Sequence, residues 1–416
     1  MKVLIIGGGG REHALAHAFA RSARCEKVFV SPGNAGIALE YPCVLLPDKE
    51  KIYDFCEKEG IGMVFIGPEQ PIAEGLSDYL KAKGVRVIAP SQAAARLETS
   101  KAFAKEIMQN CGAPCAGYRM IHSPDEAKEI LPGLKLPIVL KADGLAAGKG
   151  VIIAHSHEEA QEACNELLAA QCGADGVLAE EYLEGWEASL FVFTDSEGFC
   201  TTVFAQDHKQ LLDGDEGPNT GGMGAYCPVA EAEPYRHEVE ERIVAPVLTE
   251  MKKRGTPYFG VLYVGLMMTA RDAHVIEFNC RFGDPEAQAV LPMLKTDFVE
   301  LCEAMFEGKA GQIQLDWLEG SSVAVIMAAE GYPGDYKKSL PISIDELDGR
   351  VYYSGVAKGE TGLISSGGRI LAAVNKGENL KQAREKAYAD IGRISIPQSI
   401  YRKDIGMRIN RISRVE

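Results

Sequence analysis

A strand-like run, Val3–Ile6, passes directly into Gly7-Gly8-Gly9-Gly10 and then into a helical stretch, Glu12–Arg21. Apolar runs at Val28–Val30, Met63–Ile66 and Val85–Ile88 follow, with a second helical stretch at Pro71–Lys83. Parallel strands need long crossovers, usually helices, so this alternation predicts βαβ units on a parallel sheet over residues 1–100.

The chain has 416 residues, more than one hydrophobic core usually supports, so several domains are expected. A helix over Thr99–Asn110 ends at Gly112 and Pro114, suitable punctuation for a junction. From about 120 to 190 come a strand (Pro137–Lys141), a glycine-rich loop, a strand (Val151–Ala154), a helix and a strand (Val177–Tyr182), read as a compact α+β lid. Ser156 and Glu159 form a capping box at that helix. Strands at Ala188–Thr194 and Phe199–Ala205, then at Val261–Met268 and His274–Phe282, carry the central part. Strands at Ser322–Ala329, Val351–Val356 and Arg369–Val374 precede a helix with Leu380, Ala383, Ala387 and Ile391 at helical spacing, a small C-terminal α/β domain. The reading is therefore an α/β and α+β multidomain protein divided at 1–100, 101–325 and 326–416.

Against 44 Lys plus Arg stand 59 Asp plus Glu, a net charge of −15 that repels nucleic acid and anionic membranes. A small anionic substrate is still allowed where cations gather in one cleft. The 11 Cys are odd in number and never form Cys-x-x-Cys, so neither a disulfide framework nor a structural zinc site is indicated. Buried thiols in a reducing cytoplasm are expected. No signal-peptide pattern opens the sequence, and no apolar stretch approaches a membrane span. His155 and His157 lack a third ligand nearby and read as surface residues.

Four segments carry chemistry. The turn Gly7–Gly10 with Arg11 offers backbone N–H groups to a phosphate at a helix N-terminus. As a dinucleotide fingerprint it fails, because Glu12 stands at the third glycine position. Second, Lys141-Ala-Asp-Gly144-Leu-Ala-Ala-Gly148-Lys149-Gly150 lies between two strands. It is not a Walker A motif, yet such a loop can fold over triphosphate and contribute Lys149. Third, in His274–Phe282 the period of two puts Glu277, Asn279 and Arg281 on one face, with Ile276, Phe278 and Phe282 on the other. Carboxylate and amide oxygens two residues apart suit magnesium, and Arg281 suits phosphoryl charge. Fourth, the loop Gly217–Gly224 is glycine-dense and suits close backbone contact with a small ligand. Taken singly, each could equally be a tight turn, a surface loop or a solvated strand face.

In order, GGREHALA (9–16), SPGNAG (31–36), GPE (67–69), SKAFAK (100–105), KADGLAAGKGV (141–151), QDHK (206–209), GPNTGGMGAY (217–226), VIEFNCRFGDPE (275–286), GYPGDY (331–336), SSGGR (365–369) and RKDIG (402–406) run nearly end to end. With them the chain resembles the ATP-grasp superfamily and, within it, the phosphoribosylamine–glycine ligase (glycinamide ribonucleotide synthetase) family. Gly8, where many members carry Asn, and Ser339, replacing a glycine common after the GDY motif, depart from the pattern.

The resemblance implies an ATP-grasp fold with an N-terminal parallel-sheet domain like that of biotin carboxylases. Lys101 and Lys141 would hold ATP phosphates beneath the loop containing Gly144, Gly148, Lys149 and Gly150. Glu180, Glu181, Tyr182 and Leu183 would meet adenine, and Glu187 the ribose. Glu277 and Asn279 would ligate Mg2+ or Mn2+; where relatives place a metal-binding Glu on the preceding strand, this chain has Val264-Gly265-Leu266, so fewer protein ligands are expected. Gly9, Gly10, Arg11, Glu69, Asp284 and Arg369 would surround 5-phosphoribosylamine. Asn219, Thr220, Gly221 and Gly222 would border glycine and the amine.

The implied reaction joins glycine to that amine through glycyl phosphate, giving glycinamide ribonucleotide, ADP and phosphate in purine biosynthesis. Catalysis would be positioning and charge neutralisation, with Arg281, Asp284 and Lys149 as catalytic groups and Asp284 or Glu286 accepting the amine proton. The expected partners are small molecules only, and the chain is taken as a monomer. A nicotinamide-dependent dehydrogenase and a non-catalytic nucleotide sensor are the rivals.

Overall fold

Val3, Leu4 and Ile5 are wholly buried because strand β1 (Lys2–Gly7) lies inside a parallel sheet covered on both faces. The order is β2–β1–β3–β4, with β2 at Lys27–Pro32, β3 at Ile61–Ile66 and β4 at Val87–Ile88. This computed structural model describes residues 1–145, 150–170 and 175–407. Gly7, at φ 126, turns the chain from β1 into helix α1 (Gly10–Ala20). Glu12 folds back so that its carboxylate accepts the Gly9 N–H at 2.7 Å.

The helix expected over Pro71–Lys83 is two helices, Glu69–Ala73 and Leu76–Ala82, because Gly75 between them takes φ 82. A helix at Lys49–Glu59 connects β2 to β3 and escaped the periodicity reading. It buries only Ile52 and Cys56, too thin an apolar stripe to stand out.

The Lys101–Cys111 helix starts at Ser100, whose hydroxyl accepts the Phe103 N–H, and ends at Gly112 with φ 73. Four antiparallel strands then form the lid sheet, in the order Tyr118–Ile121, Val177–Glu181, Ile138–Ala142, Val151–Ala154. The helix His157–Ala169 packs on it over a core of its own, including Ile121, Leu140, Cys164 and Val177. Its cap differs in one detail from the expected box: Ser156 accepts the Glu159 N–H, but the Glu159 carboxylate accepts from His155, one residue before the cap.

A second antiparallel sheet follows the order Phe199–Thr201, Trp186–Thr194, Gly260–Met268, Ala273–Asn279. The third sheet joins Gln206–Asp207 and Gly224–Cys227 to the C-terminal strands Ser321–Ala329, Arg369–Gly377 and Arg350–Tyr353. The border drawn at 325/326 therefore falls inside one buried strand. Ser339 holds φ 61, a left-handed conformation that the glycine it replaces adopts freely.

The helix Leu380–Ile391 is anchored by Asp390, which is buried and accepts from Asn375 Nδ2 at 2.6 Å and from the Gly349 and Asp348 N–H groups at 2.8 and 3.1 Å. Asp390→Ala leaves these donors unpaired and is expected to destabilise the protein by about 3 kcal/mol. Urea unfolding would show the lower midpoint, with Asp390→Asn losing less.

Candidate active site

The three sheets and the lid surround one cleft of about 860 Å³. From the lid come Lys141, Gly144, Gly150, Glu180 and Tyr182, together with Glu181 and Leu183. From the central sheet come Glu187, Glu277, Asn279 and Arg281. Arg11 and Glu69 enter from the N-terminal part, Arg369 from the C-terminal part, and Lys101 from the junction helix. Asn219, Thr220, Gly221 and Asp284 complete the expected set on the wall. Gly9, Gly10 and Gly222 stand outside that wall; Gly148 and Lys149 lie outside the described residues.

Lys141 is buried at the base of the lid, 2.9 Å from Glu180 Oε2, and donates to the Ile276 carbonyl at 3.0 Å. That carbonyl is presented by a β-bulge. Glu277 pairs with Gly265 and Val275 with Leu266, so Ile276 has no partner across the strand pair. The bulge corrects the strict alternation read from the sequence: Ile276 is half-buried beside the cleft, while Phe278 is buried. Lys105, which the sequence did not single out, sits 3.3 Å from the other oxygen of Glu180. A buried carboxylate shared by two ammonium groups is fully paired.

Asp143 is a second missed residue. It accepts the Lys101 N–H at 2.5 Å and the Ser100 hydroxyl at 3.2 Å, and Lys101 Nζ donates to the Gly144 carbonyl at 2.9 Å. The start of the glycine-rich loop is thereby fastened to the N-terminus of the Lys101–Cys111 helix. Burial lowers the Lys101 ammonium, Glu277 opposes this, and Lys141 adds to the lowering.

Arg281, read as a group that suits phosphoryl charge, is doubly paired, 2.6 Å from Glu98 Oε1 and 3.2 Å from Glu69 Oε2. Burial works against its charge; Glu98 and Glu69 outweigh burial and raise it. Glu98 also accepts the Cys280 N–H at 2.7 Å. Nothing in a short helical segment marks such a carboxylate as functional, since its role depends on a strand far along the chain.

Glu187 lies 2.8 Å from Lys209, and Lys209 lies 3.9 Å from Glu277. Burial opposes the Lys209 charge, and Glu187, Asp207 and Glu277 hold it well above the ordinary lysine value. Glu277 is itself kept low: burial raises it, but Lys209, Lys141, Lys101 and Arg281 prevail. It is therefore an anion inside a ring of cations. Lys209 sits in the QDHK segment, the signal by which it could have been found.

At the other end, Asp284 Oδ1 lies 3.3 Å from Arg369 and accepts Gln288 Nε2 at 2.8 Å, while Oδ2 accepts the Arg11 N–H at 3.3 Å. Burial pushes Asp284 up, and Arg369 and Arg11 more than reverse it. Arg369 also donates to the carbonyls of Gly221 (2.5 Å) and Asp284 (2.7 Å). Gly221 in turn donates its N–H to the Tyr332 hydroxyl at 2.9 Å. The Gly10 N–H goes to Ser354 Oγ at 3.2 Å, so the amides first read as phosphate donors have protein acceptors here.

Glu277 and Asn279 fit a hard divalent cation: both offer oxygen, and Glu277 is held ionised. Gly265 lies opposite Glu277, and a Cβ there would come within 3.2 Å of Glu277 Cγ. Among the described residues no cluster of three His, Cys, Asp or Glu could hold a metal.

Models of all three parts of one family match the chain: the phosphoribosylglycinamide synthetase N domain over 1–98, the ATP-grasp (A) domain over 99–287 and the C domain over 322–408. The chain belongs to the phosphoribosylglycinamide synthetase family. It is 43% identical to a phosphoribosylamine–glycine ligase of Caldanaerobacter subterraneus subsp. tengcongensis, over 97% of this chain and 99% of that one. It is 41% identical to the human trifunctional purine biosynthetic protein adenosine-3, covering 98% of this chain and 42% of that protein. A crystal structure of phosphoribosylamine–glycine ligase from Thermotoga maritima superimposes with a TM-score of 0.87 at 32% identity, over 97% of this chain and all of that one. The biotin carboxylase domain of a Hydrogenobacter thermophilus 2-oxoglutarate carboxylase, solved with magnesium ADP, shares the fold at TM-score 0.73 and 18% identity, covering 99% of this chain and 93% of that one. This member of the phosphoribosylglycinamide synthetase family thus has an ATP-grasp fold and is an ATP-dependent ligase. Among the described residues no helix is long and apolar enough to cross a membrane.

Glu286, buried on the cleft wall, is raised to about 7 by burial and then by Asp207. The folded chain holds this proton more tightly than the unfolded chain, whose reference value is 4.5. Its contribution to stability is therefore complete below about pH 4.5 and fades as pH rises through about 7. Glu286→Gln is expected to flatten that part of the profile when melting temperature is followed across this window; an unchanged slope would show that Glu286 does not titrate there.

Proposed function

We propose that the cleft ligates glycine to 5-phosphoribosylamine through glycyl phosphate, giving glycinamide ribonucleotide, ADP and phosphate, a step of purine biosynthesis. The observation that carries this reading is the ring of Lys101, Lys141, Lys209 and Arg281 around Glu277, continued by Arg369 and Arg11 at Asp284. No Ser, Cys or His is found among the described residues of the cleft wall, and the reaction proposed needs no covalent enzyme intermediate. Neutralising phosphoryl charge and aligning the reactants is sufficient catalysis for phosphoryl transfer.

In this reading Lys101 and Lys141 bind the ATP phosphates, joined by Lys149 from the loop of Gly144, Gly148 and Gly150. Val139, Ile153, Leu183 and Met267 give the lid end of the cleft the apolar lining adenine requires, beside the segment Glu180, Glu181, Tyr182, Leu183. Glu187 serves the ribose. Glu277 and Asn279 hold Mg2+, or Mn2+ in its place, and the cation supplies neutralisation of phosphoryl charge. Arg281, fixed by Glu69 and Glu98, keeps positive potential beside the transferred group. Gly9, Gly10, Arg11, Glu69, Asp284 and Arg369 shape the phosphoribosylamine pocket, with Asn219, Thr220, Gly221 and Gly222 at glycine. The γ-phosphoryl group passes to a glycine carboxylate oxygen as the bond to ADP breaks. The amine then attacks the acyl carbon, phosphate leaves, and Glu286 receives the amine proton. We assign substrate recognition to 1–100, ATP chemistry to 101–325 and closure of the amine site to 326–416, acting within one chain in the cytoplasm.

ADP release should require glycine and phosphoribosylamine together, and turnover indifferent to glycine would sink the assignment. Glu277→Gln should lower kcat at saturating substrate by about a hundredfold while leaving the melting temperature near that of the parent.

A further inference from the structure

A second cavity, of about 370 Å³, lies away from the cleft, between the last turn of α1 and the C-terminal sheet. His17, Arg21, Arg350, Tyr352, Lys376 and Lys386 line it. Four of these are permanent cations, in a protein whose net charge is −15. Arg350 meets Glu40, and Arg21 donates to the carbonyls of Leu291, Pro292 and Leu294, which leaves Lys376 and Lys386 with no acid paired to them among the described residues. Asp348 also lines the cavity, but it is largely exposed and lies 3.3 Å from Arg393. Glu40 is shared between His13 and Arg350, and Asp390 is taken by Asn375 and the Gly349 N–H.

The interior of the cavity carries the mark of this imbalance. Arg350 Nε is buried with no hydrogen-bond partner. His17, whose Nδ1 lies 3.0 Å from the Tyr352 hydroxyl, is pushed down to about 4 by burial and then by Arg350 and Arg21. Burial and then Arg21 lower Lys376. A solvated basic face would leave its donors to water; here a donor is buried and cations repel one another around a hollow.

We propose that this cavity is a second binding site, for a small phosphate-bearing anion, at the seam between α1 and the C-terminal sheet. The chemistry matches: the ammonium groups of Lys376 and Lys386 line the cavity with Arg350, whose Nε–H has no partner, and such donors suit a phosphate oxygen. The volume admits a sugar phosphate as well as inorganic phosphate. The site also touches the elements that build the cleft. His17 lies on, and Arg21 caps, the helix whose first turn carries Arg11, and Tyr352 precedes Tyr353 and Ser354, which contact His13 and Gly10. An occupant would add its contacts to the hydrogen bonds that already join α1 to the C-terminal sheet.

The test is calorimetric titration of the full chain with inorganic phosphate and, separately, ribose 5-phosphate, in chloride buffer with ADP saturating the nucleotide end of the cleft. The double variant Lys376→Glu/Lys386→Glu should weaken binding of one phosphate equivalent at least about tenfold, while ADP affinity and melting temperature stay as in the parent. Lys376→Arg/Lys386→Arg should bind as the parent does. Arg369→Ala, which alters the cleft, should keep this equivalent. A stronger response to ribose 5-phosphate than to phosphate identifies a sugar phosphate as the occupant, and the reverse identifies the free ion. Identical isotherms for the parent and the Glu variant, or loss of binding in the Arg variant, would overturn the proposal.

Discussion

Arg281 puts a permanent positive charge where three distant stretches of chain converge, and the cleft cannot form unless that charge is met. Glu69 reaches it from the end of the N-terminal sheet, Glu98 from the junction before the Lys101–Cys111 helix, and Arg281 itself follows the strand Ala273–Asn279. An unpaired buried guanidinium or carboxylate would be strongly destabilising, so each partner holds the others in place. Asp284 repeats the device three residues on, bringing Arg11 and Arg369 from opposite ends of the sequence to one carboxylate.

These pairings account for how an acidic protein concentrates positive potential locally. The cations that matter are buried or half-buried and face carboxylates, so salt screens their charge less than it would on an open surface. Glu277 remains an anion within that ring, the condition for recruiting a divalent cation. The lid is tied in by the same means: Lys141 binds Glu180 within the lid and the Ile276 carbonyl across the cleft. The lid keeps a hydrophobic core of its own, and Lys101 fastens the start of its glycine-rich loop through the Gly144 carbonyl.

Much of this was legible in the sequence where the signal is local. The alternation of apolar runs with helical stretches located the parallel sheet, and Gly112 marked the end of the junction helix. Lys141, Gly144 and Gly150 of the glycine-rich segment, Glu277, Asn279 and Arg281 of the stripe, and Asn219, Thr220 and Gly221 of the GPNTGGMG segment line the same cleft. What could not be read was whatever depends on contact across the chain. Glu98, Lys105 and Asp143 look like ordinary polar residues of helices and loops until the fold brings Arg281, Glu180 and Ser100 to them. The bulge at Ile276 was invisible because the pattern of residues on a strand does not record where its neighbour skips. Gly75 was passed over for a related reason, since one glycine inside a helical pattern does not announce its φ.

The central claim is that activation proceeds by moving a phosphoryl group onto the carboxylate of glycine rather than onto the protein or the amine. Turnover with glycine labelled with oxygen-18 in its carboxylate tests it directly, by mass spectrometry of the inorganic phosphate released. One labelled oxygen should appear in each phosphate, because the acyl phosphate keeps the glycine oxygen when the amine displaces it. Unlabelled phosphate, with the displaced glycine oxygen released to water instead, would contradict the account.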